Sequence, residues 1–166
     1  IMSLAPRTPD LKANLNINNG TFGTLLSSAS IGSIIMLLIG GQIVHRIGTK
    51  KGLRIGSTIV ALSFITLVHT QSPIVFLFVN IAAGAGISLY HIASTGHTLH
   101  RQDEVGRIII PKLHGAWGFG AMSTAVIAFA ISTHITVAWH ITVLMIAVFT
   151  LTQFVITKLT PTFPVS

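Results

Sequence analysis

Apolar residues run without a charge from Ala13 to Val44, from Ile55 to His100 and from Leu113 to Thr157, and the charged positions gather in the short stretches between these runs. A helix that crosses a bilayer needs about 20 predominantly apolar residues to traverse roughly 30 Å of hydrocarbon. The last two runs are too long for one crossing, so each must be divided. In the second run Thr70-Gln71-Ser72-Pro73 supplies the break, because proline disfavours helix at the residue before it and suits the first turn of the next. The pattern predicts five spans, at about 21–44, 53–69, 74–95, 113–132 and 136–157. Helices of this size reach on the order of 25 to 35 Å at 1.5 Å per residue. The expected fold class is an all-α membrane protein with five transmembrane helices.

Composition narrows the functional classes. Of the 166 residues, 51% are hydrophobic and 8% charged, with a mean hydropathy of +0.79, whereas soluble domains carry roughly 25% charged residues. Disorder, coiled coil and a disulfide-stapled secreted domain are all excluded. The absence of cysteine removes cysteine-ligated metal and redox-disulfide chemistry. A net charge of +7 raises the question of nucleic-acid binding, but the basic residues sit in connectors between apolar blocks, where they anchor the chain to the inner leaflet instead. The chain starts at Ile1 and shows no signal peptide, so it reads as a fragment whose beginning is missing.

Orientation follows from the Lys and Arg distribution. One side has eight, namely Arg46, Lys50, Lys51, Arg54, Arg101, Arg107, Lys112 and Lys158, and the other has two, Arg7 and Lys12. The positive-inside rule then places the basic connectors and the C-terminus in the cytoplasm and residue 1 outside. Trp117 and Trp139 fall where interfacial aromatic anchors are expected. Small residues let membrane helices approach closely. Glycines concentrate in span one (Gly23, Gly32, Gly40, Gly41), span three (Gly84, Gly86) and span four (Gly115, Gly118, Gly120). These three spans are therefore expected inside the bundle, with spans two and five outside.

The most informative run is Gly41-Gln42-Ile43-Val44-His45-Arg46-Ile47-Gly48-Thr49-Lys50-Lys51-Gly52-Leu53, a helix end, a tight turn carrying cations and a new helix start. It resembles the signature loop of the major facilitator superfamily, Gly-x-Leu-x-Asp-Arg-x-Gly-x-Lys/Arg-x-x-Leu, which joins that family's second and third helices. Gly41, Arg46, Gly48, Lys50 and Leu53 match, Ile43 is conservative, and His45 stands where the family has its acid. The resemblance implies a gating loop of Gly41, His45, Arg46, Gly48, Lys50 and Lys51, with the acid's contact to the opposite half weakened or made pH-dependent by His45.

A second block, Gly84-Ala85-Gly86-Ile87-Ser88-Leu89-Tyr90-His91-Ile92-Ala93, then Gly106-Arg107, then His114-Gly115-Ala116-Trp117-Gly118-Phe119-Gly120, is similar to the fourth helix, following loop and fifth helix of some members of that family, with Ile92 in place of a usual proline. The resemblance implies that residues 1–20 are the outer end of a first helix and its loop, that 21–157 are helices two to six of a twelve-helix transporter, and that 158–166 begin its central cytoplasmic loop. It also implies alternating access for a small solute, a bacterial cytoplasmic membrane, and dependence on a missing C-terminal half. The alternative is a non-transporting membrane scaffold, subunit or inactive fragment.

No Asp, Glu, Lys or Arg lies in the apolar interior of a predicted span, and intramembrane ionisable residues mark ion pathways. A coupling proton would thus have to use a histidine, or a carboxylate beyond this chain. His91 and His114 are the candidates here, and Asn80 and Tyr90 are candidate solute contacts, each with an interhelical hydrogen bond as the plainer role. His91, His97 and His100 form pairs without a third ligand, so no metal is expected. No cofactor is expected, and no paired carboxylates, nucleophile elbow or phosphate-cradling loop point to an enzyme.

Overall fold

The computed structural model describes residues 4–106, 108, 110–131 and 134–159. The expected end of span four at Ser132, the loop cation Arg107 and the tail from residue 160 lie outside them. A 3₁₀ turn at Ala5–Arg7 leads into α1 (Thr8–Leu15), followed by α2 (Asn19–Ser27), α3 (Ala29–Ile47), α4 (Thr49–His69), α5 (Pro73–Val105), α6 (Ile110–Ala130) and α7 (Val137–Lys158). Among the described residues there is no strand, and five helical units are long and apolar enough to cross a membrane: α2 with α3, α4, α5, α6 and α7.

Local chemistry sets the helix ends. The Asn18 side chain accepts from the Thr21 amide at 2.8 Å and starts α2, and Ser72 caps Val75 above Pro73 to start α5; these satisfy amides that have no partner inside the helix. Asn16 adopts the left-handed conformation after α1, a common helix stop. Gly48, at φ +82°, turns α3 directly into α4. A side chain there would be strained, which accounts for the glycine in the loop motif.

The first span is broken at Ser28. Its hydroxyl donates to the Leu25 carbonyl at 2.6 Å, and Asn80 of α5 donates to the carbonyls of Leu25 at 2.8 Å and Leu26 at 3.0 Å. Carbonyls released from the helical ladder at a bend need partners within the protein when no water is present. Asn80 supplies them.

Helix α5 is the centre of the bundle, flanked by α3 and α4, with α7 packed against α4. The α3–α5 crossing is a backbone contact. A Cβ added at Gly32 would stand 1.9 Å from the Ile81 carbonyl oxygen, and one at Gly84 1.9 Å from that of Ala29. Ser33 Oγ donates to the Gly84 carbonyl at 3.1 Å in the same place. On the other side of α5, Gly56 of α4 meets the backbone at Tyr90 and Gly86. Two apolar cores result. The one at the end distant from the basic loops gathers Leu11, Leu15, Phe22, Phe64, Val68, Phe76 and Ile141; the one at the basic end gathers Val44, Leu53, Leu89, Ala93 and Ile156.

Two expectations need correction. Glycine content does not sort the spans. Span two, expected outside, is the best covered, with 44% of its apolar window buried, while span four, expected inside, has 6%. A small residue marks a close approach only where a second backbone meets it: Gly56 meets one, and nothing lies within 4 Å of a Cβ at Gly115, Gly118 or Gly120. The third span, expected to end at about residue 95, continues as helix through Val105, because α5 runs for 33 residues. Glu104 pairs with His100 at 3.2 Å and Arg101 at 2.6 Å, the i,i+4 and i,i+3 spacings that support helix in water, until Gly106 ends it in the left-handed conformation.

Candidate functional site

Helical spacing brings one face of each of four helices to a common cleft near the basic end. From α5 come Ile87, Tyr90, His91, Ser94 and Thr98, from α6 Leu113, His114 and Trp117, from α4 Ser57, Val60 and Ala61, and from α7 Met145, Phe149 and Thr152. The cleft has a volume of about 920 Å³, at the upper end of the roughly 300 to 1,000 Å³ of small-molecule sites. Its walls are mostly aliphatic and aromatic, and its polar groups are hydroxyls, the two imidazoles and the Tyr90 phenol. No Asp, Glu, Lys or Arg lines it. Such a surface offers donors and acceptors without a fixed charge.

Three of the four candidate solute or proton residues, Tyr90, His91 and His114, therefore line one cleft. Asn80 does not. It is buried, and its Nδ2 also lies 3.2 Å from Ser28 Oγ, so its amide is committed to the bend of the first span. Its position in sequence, one residue among apolar neighbours, does not distinguish the two roles.

The loop motif divides as well. Gly41, Gln42, His45 and Arg46 line a shallow hollow of about 360 Å³ at the basic end of α3. Lys51 is exposed beside the Gly48 turn. Lys50 reaches away from them, and its Nζ donates to the carbonyls of Thr157 and Leu159, each at 3.1 Å. A cation at the last carbonyls of a helix is favourably placed, so Lys50 ties the turn to the end of α7. Gln153 adds a second tie one turn deeper, donating to Ser57 Oγ at 2.9 Å.

At the opposite end the sequence concealed the role of Arg7. It is 1% exposed, donates to the Ile135 carbonyl in the α6–α7 connection and pairs with Asp10 at 3.2 Å. The i,i+3 spacing to Asp10 was the one signal for it. Nearby, His69 and Thr142 share a hydrogen bond of 3.0 Å between α4 and α7. Among the described residues no three His, Asp or Glu side chains gather in a way that could hold a metal.

The sequence profile described as "Major Facilitator Superfamily" matches residues 1–164. The chain belongs to the major facilitator superfamily. It is an integral membrane protein, and the five-helix reading and the family resemblance both stand. The chain is 22% identical over 118 residues to an uncharacterised MFS-type transporter of Yersinia pestis, a stretch that covers 71% of this chain and 31% of that protein. It thus matches about a third of the length of its curated facilitator relative. No solved structure matches.

Proposed function

We propose that this facilitator chain is part of a secondary transporter that moves a small solute by alternating access, with the basic end in the cytoplasm and a second half supplied by sequence beyond the segment. The observation that carries this reading is the convergence of Tyr90, His91 and His114 on one cleft lined by no charged side chain. Family membership and the relative's description as a transporter support it. In this reading the imidazoles and hydroxyls hydrogen-bond the solute, His91 or His114 relays a coupling proton where one is used, and the apolar walls exclude water. The chemistry at the cleft calls for binding and release and has no covalent step.

The test is made on the full-length polypeptide in proteoliposomes. Solutes are first selected by thermal stabilisation of the protein and then assayed for uptake. His91→Gln keeps a polar side chain but no titratable one, and it is expected to lower uptake of a stabilising solute by about tenfold, equivalent to 1.4 kcal/mol. Unchanged uptake in both His91→Gln and His114→Gln would remove the cleft from the transport path. Failure of every solute to move would favour the scaffold reading.

The loop motif supplies a separate expectation. Arg46 is exposed beside His45 at the end of α3, where we place it in contact with the opposite half when the inner side closes. Arg46→Ala should slow cycling severalfold while membrane insertion, read by protease protection, is unchanged. Wild-type uptake in that variant would count against the gate.

A further inference from the structure

We propose that the basic ends of α4 and α7 form a binding site for the phosphate of an anionic phospholipid, held by Arg54 and Lys158. On α4, Lys50, Arg54 and Ser57 follow at i, i+4 and i+7 and so share one face. The two outer members of that set are bonded to α7, Lys50 to the Thr157 and Leu159 carbonyls and Ser57 to Gln153. Arg54 stands between these ties, opposite the last turns of α7, and it is exposed. Lys158 ends α7, also exposed, with its Nζ held 5.6 Å from the centre of the Phe154 ring.

The arrangement is short of negative charge. Neither α4 nor α7 contains an Asp or Glu, and the ion pairs among the described residues engage Arg7, His100 and Arg101 instead. The two ties pin together the helix ends that carry Arg54 and Lys158, and neither helix has a carboxylate to offset those cations. A guanidinium beside an ammonium is suited to a phosphate group, which the guanidinium can grip through two N–H donors. Toward the membrane interior the same two helices expose apolar side chains, with Leu62 at 62%, Leu151 at 65% and Phe154 at 62% exposure. An acyl chain covers such a wall, whereas a soluble anion leaves it bare. That continuity of cations with an apolar face selects a lipid over free phosphate.

The inference is independent of the transport reading, since it concerns the lipid-facing edge and not the cleft. The full-length polypeptide is placed in nanodiscs of phosphatidylcholine with a minor fraction of phosphatidylglycerol, and retained lipids are counted by native mass spectrometry. Wild type is expected to retain phosphatidylglycerol selectively, and Arg54→Gln with Lys158→Gln to weaken that retention about thirtyfold, at about 1 kcal/mol for each cation near the surface. Arg54→Lys with Lys158→Arg should preserve it, which guards against loss through misfolding. The charge-matched pair Arg101→Gln with Lys112→Gln, on α5 and α6, should also leave it intact. Equal loss in both Gln pairs, or displacement of the lipid by millimolar inorganic phosphate, would overturn the site.

Discussion

Gly84→Val should prevent α3 and α5 from docking. A Cβ at this position falls 1.9 Å from the Ala29 carbonyl oxygen and 2.8 Å from its carbon, and both belong to backbone that no rotamer change can move. The helices must part, which breaks the Ser33–Gly84 hydrogen bond and opens the contact around it. In lipid there is no hydrophobic gain to offset this, because helix association rests on close packing and interhelical hydrogen bonds. The cost is expected at about 3 kcal/mol or more, the upper end of what overpacking does in soluble cores. Gly118→Val is the matched control. Nothing lies within 4 Å of a Cβ there, and its effect should stay within about 0.5 kcal/mol. Denaturant titration in micelles, followed by circular dichroism, reads both. Similar midpoints for the two variants would show that the glycine contact does not hold the bundle.

Asn80→Leu should loosen the first span. The substitution keeps the volume and removes the donors that reach Leu25 and Leu26 at 2.8 and 3.0 Å. The Leu25 carbonyl keeps the Ser28 hydroxyl as a donor, while the Leu26 carbonyl loses the Asn80 amide, so the loss is expected at about 1 to 3 kcal/mol. It should concentrate in α2, whose amides should exchange faster with deuterium while those of α4 stay protected. Asn80→Asp is the sharper test, because an ionised carboxylate has the same shape and accepts only. It should do at least as much damage as Leu. A harmless Asp would mean that the amide donors are not what holds the bend.

The fold was legible because hydropathy and length alone separate five crossings, and glycine, proline and charge mark where they stop. Helix α5 was legible only to its apolar limit. Its last ten residues are as polar as a loop, and what keeps them helical is a local set of ion pairs and good helix formers such as Leu99, Arg101, Gln102 and Glu104. Gly56 was passed over because its importance depends on which face meets α5, a fact of tertiary arrangement. At the candidate site the i,i+1 pair Tyr90 and His91 was readable as a polar interruption of an apolar helix, and so was His114. That they line one cleft, and that Asn80 does not join them, follows from the tertiary placement of α6 across that cleft from α5. The burial of Arg7 was not legible, since it is created by a turn and a connection 128 residues apart.

The length of α5 has an electrostatic consequence. Thirty-three residues extend for about 50 Å, and a hydrocarbon core takes up roughly 30 Å. If Pro73 marks one edge of that core, Arg101 and Glu104 stand roughly 12 and 16 Å beyond the other edge. The Debye length at physiological ionic strength is about 8 Å, so charges at that end of α5 feel the lipid phosphates more weakly than charges at the membrane surface do. Arg46, Lys51, Arg54 and Lys158, at helix ends, remain within reach of them. The basic residues thus fall into two populations, one that fixes how the chain sits in the bilayer and one that meets whatever approaches from the water.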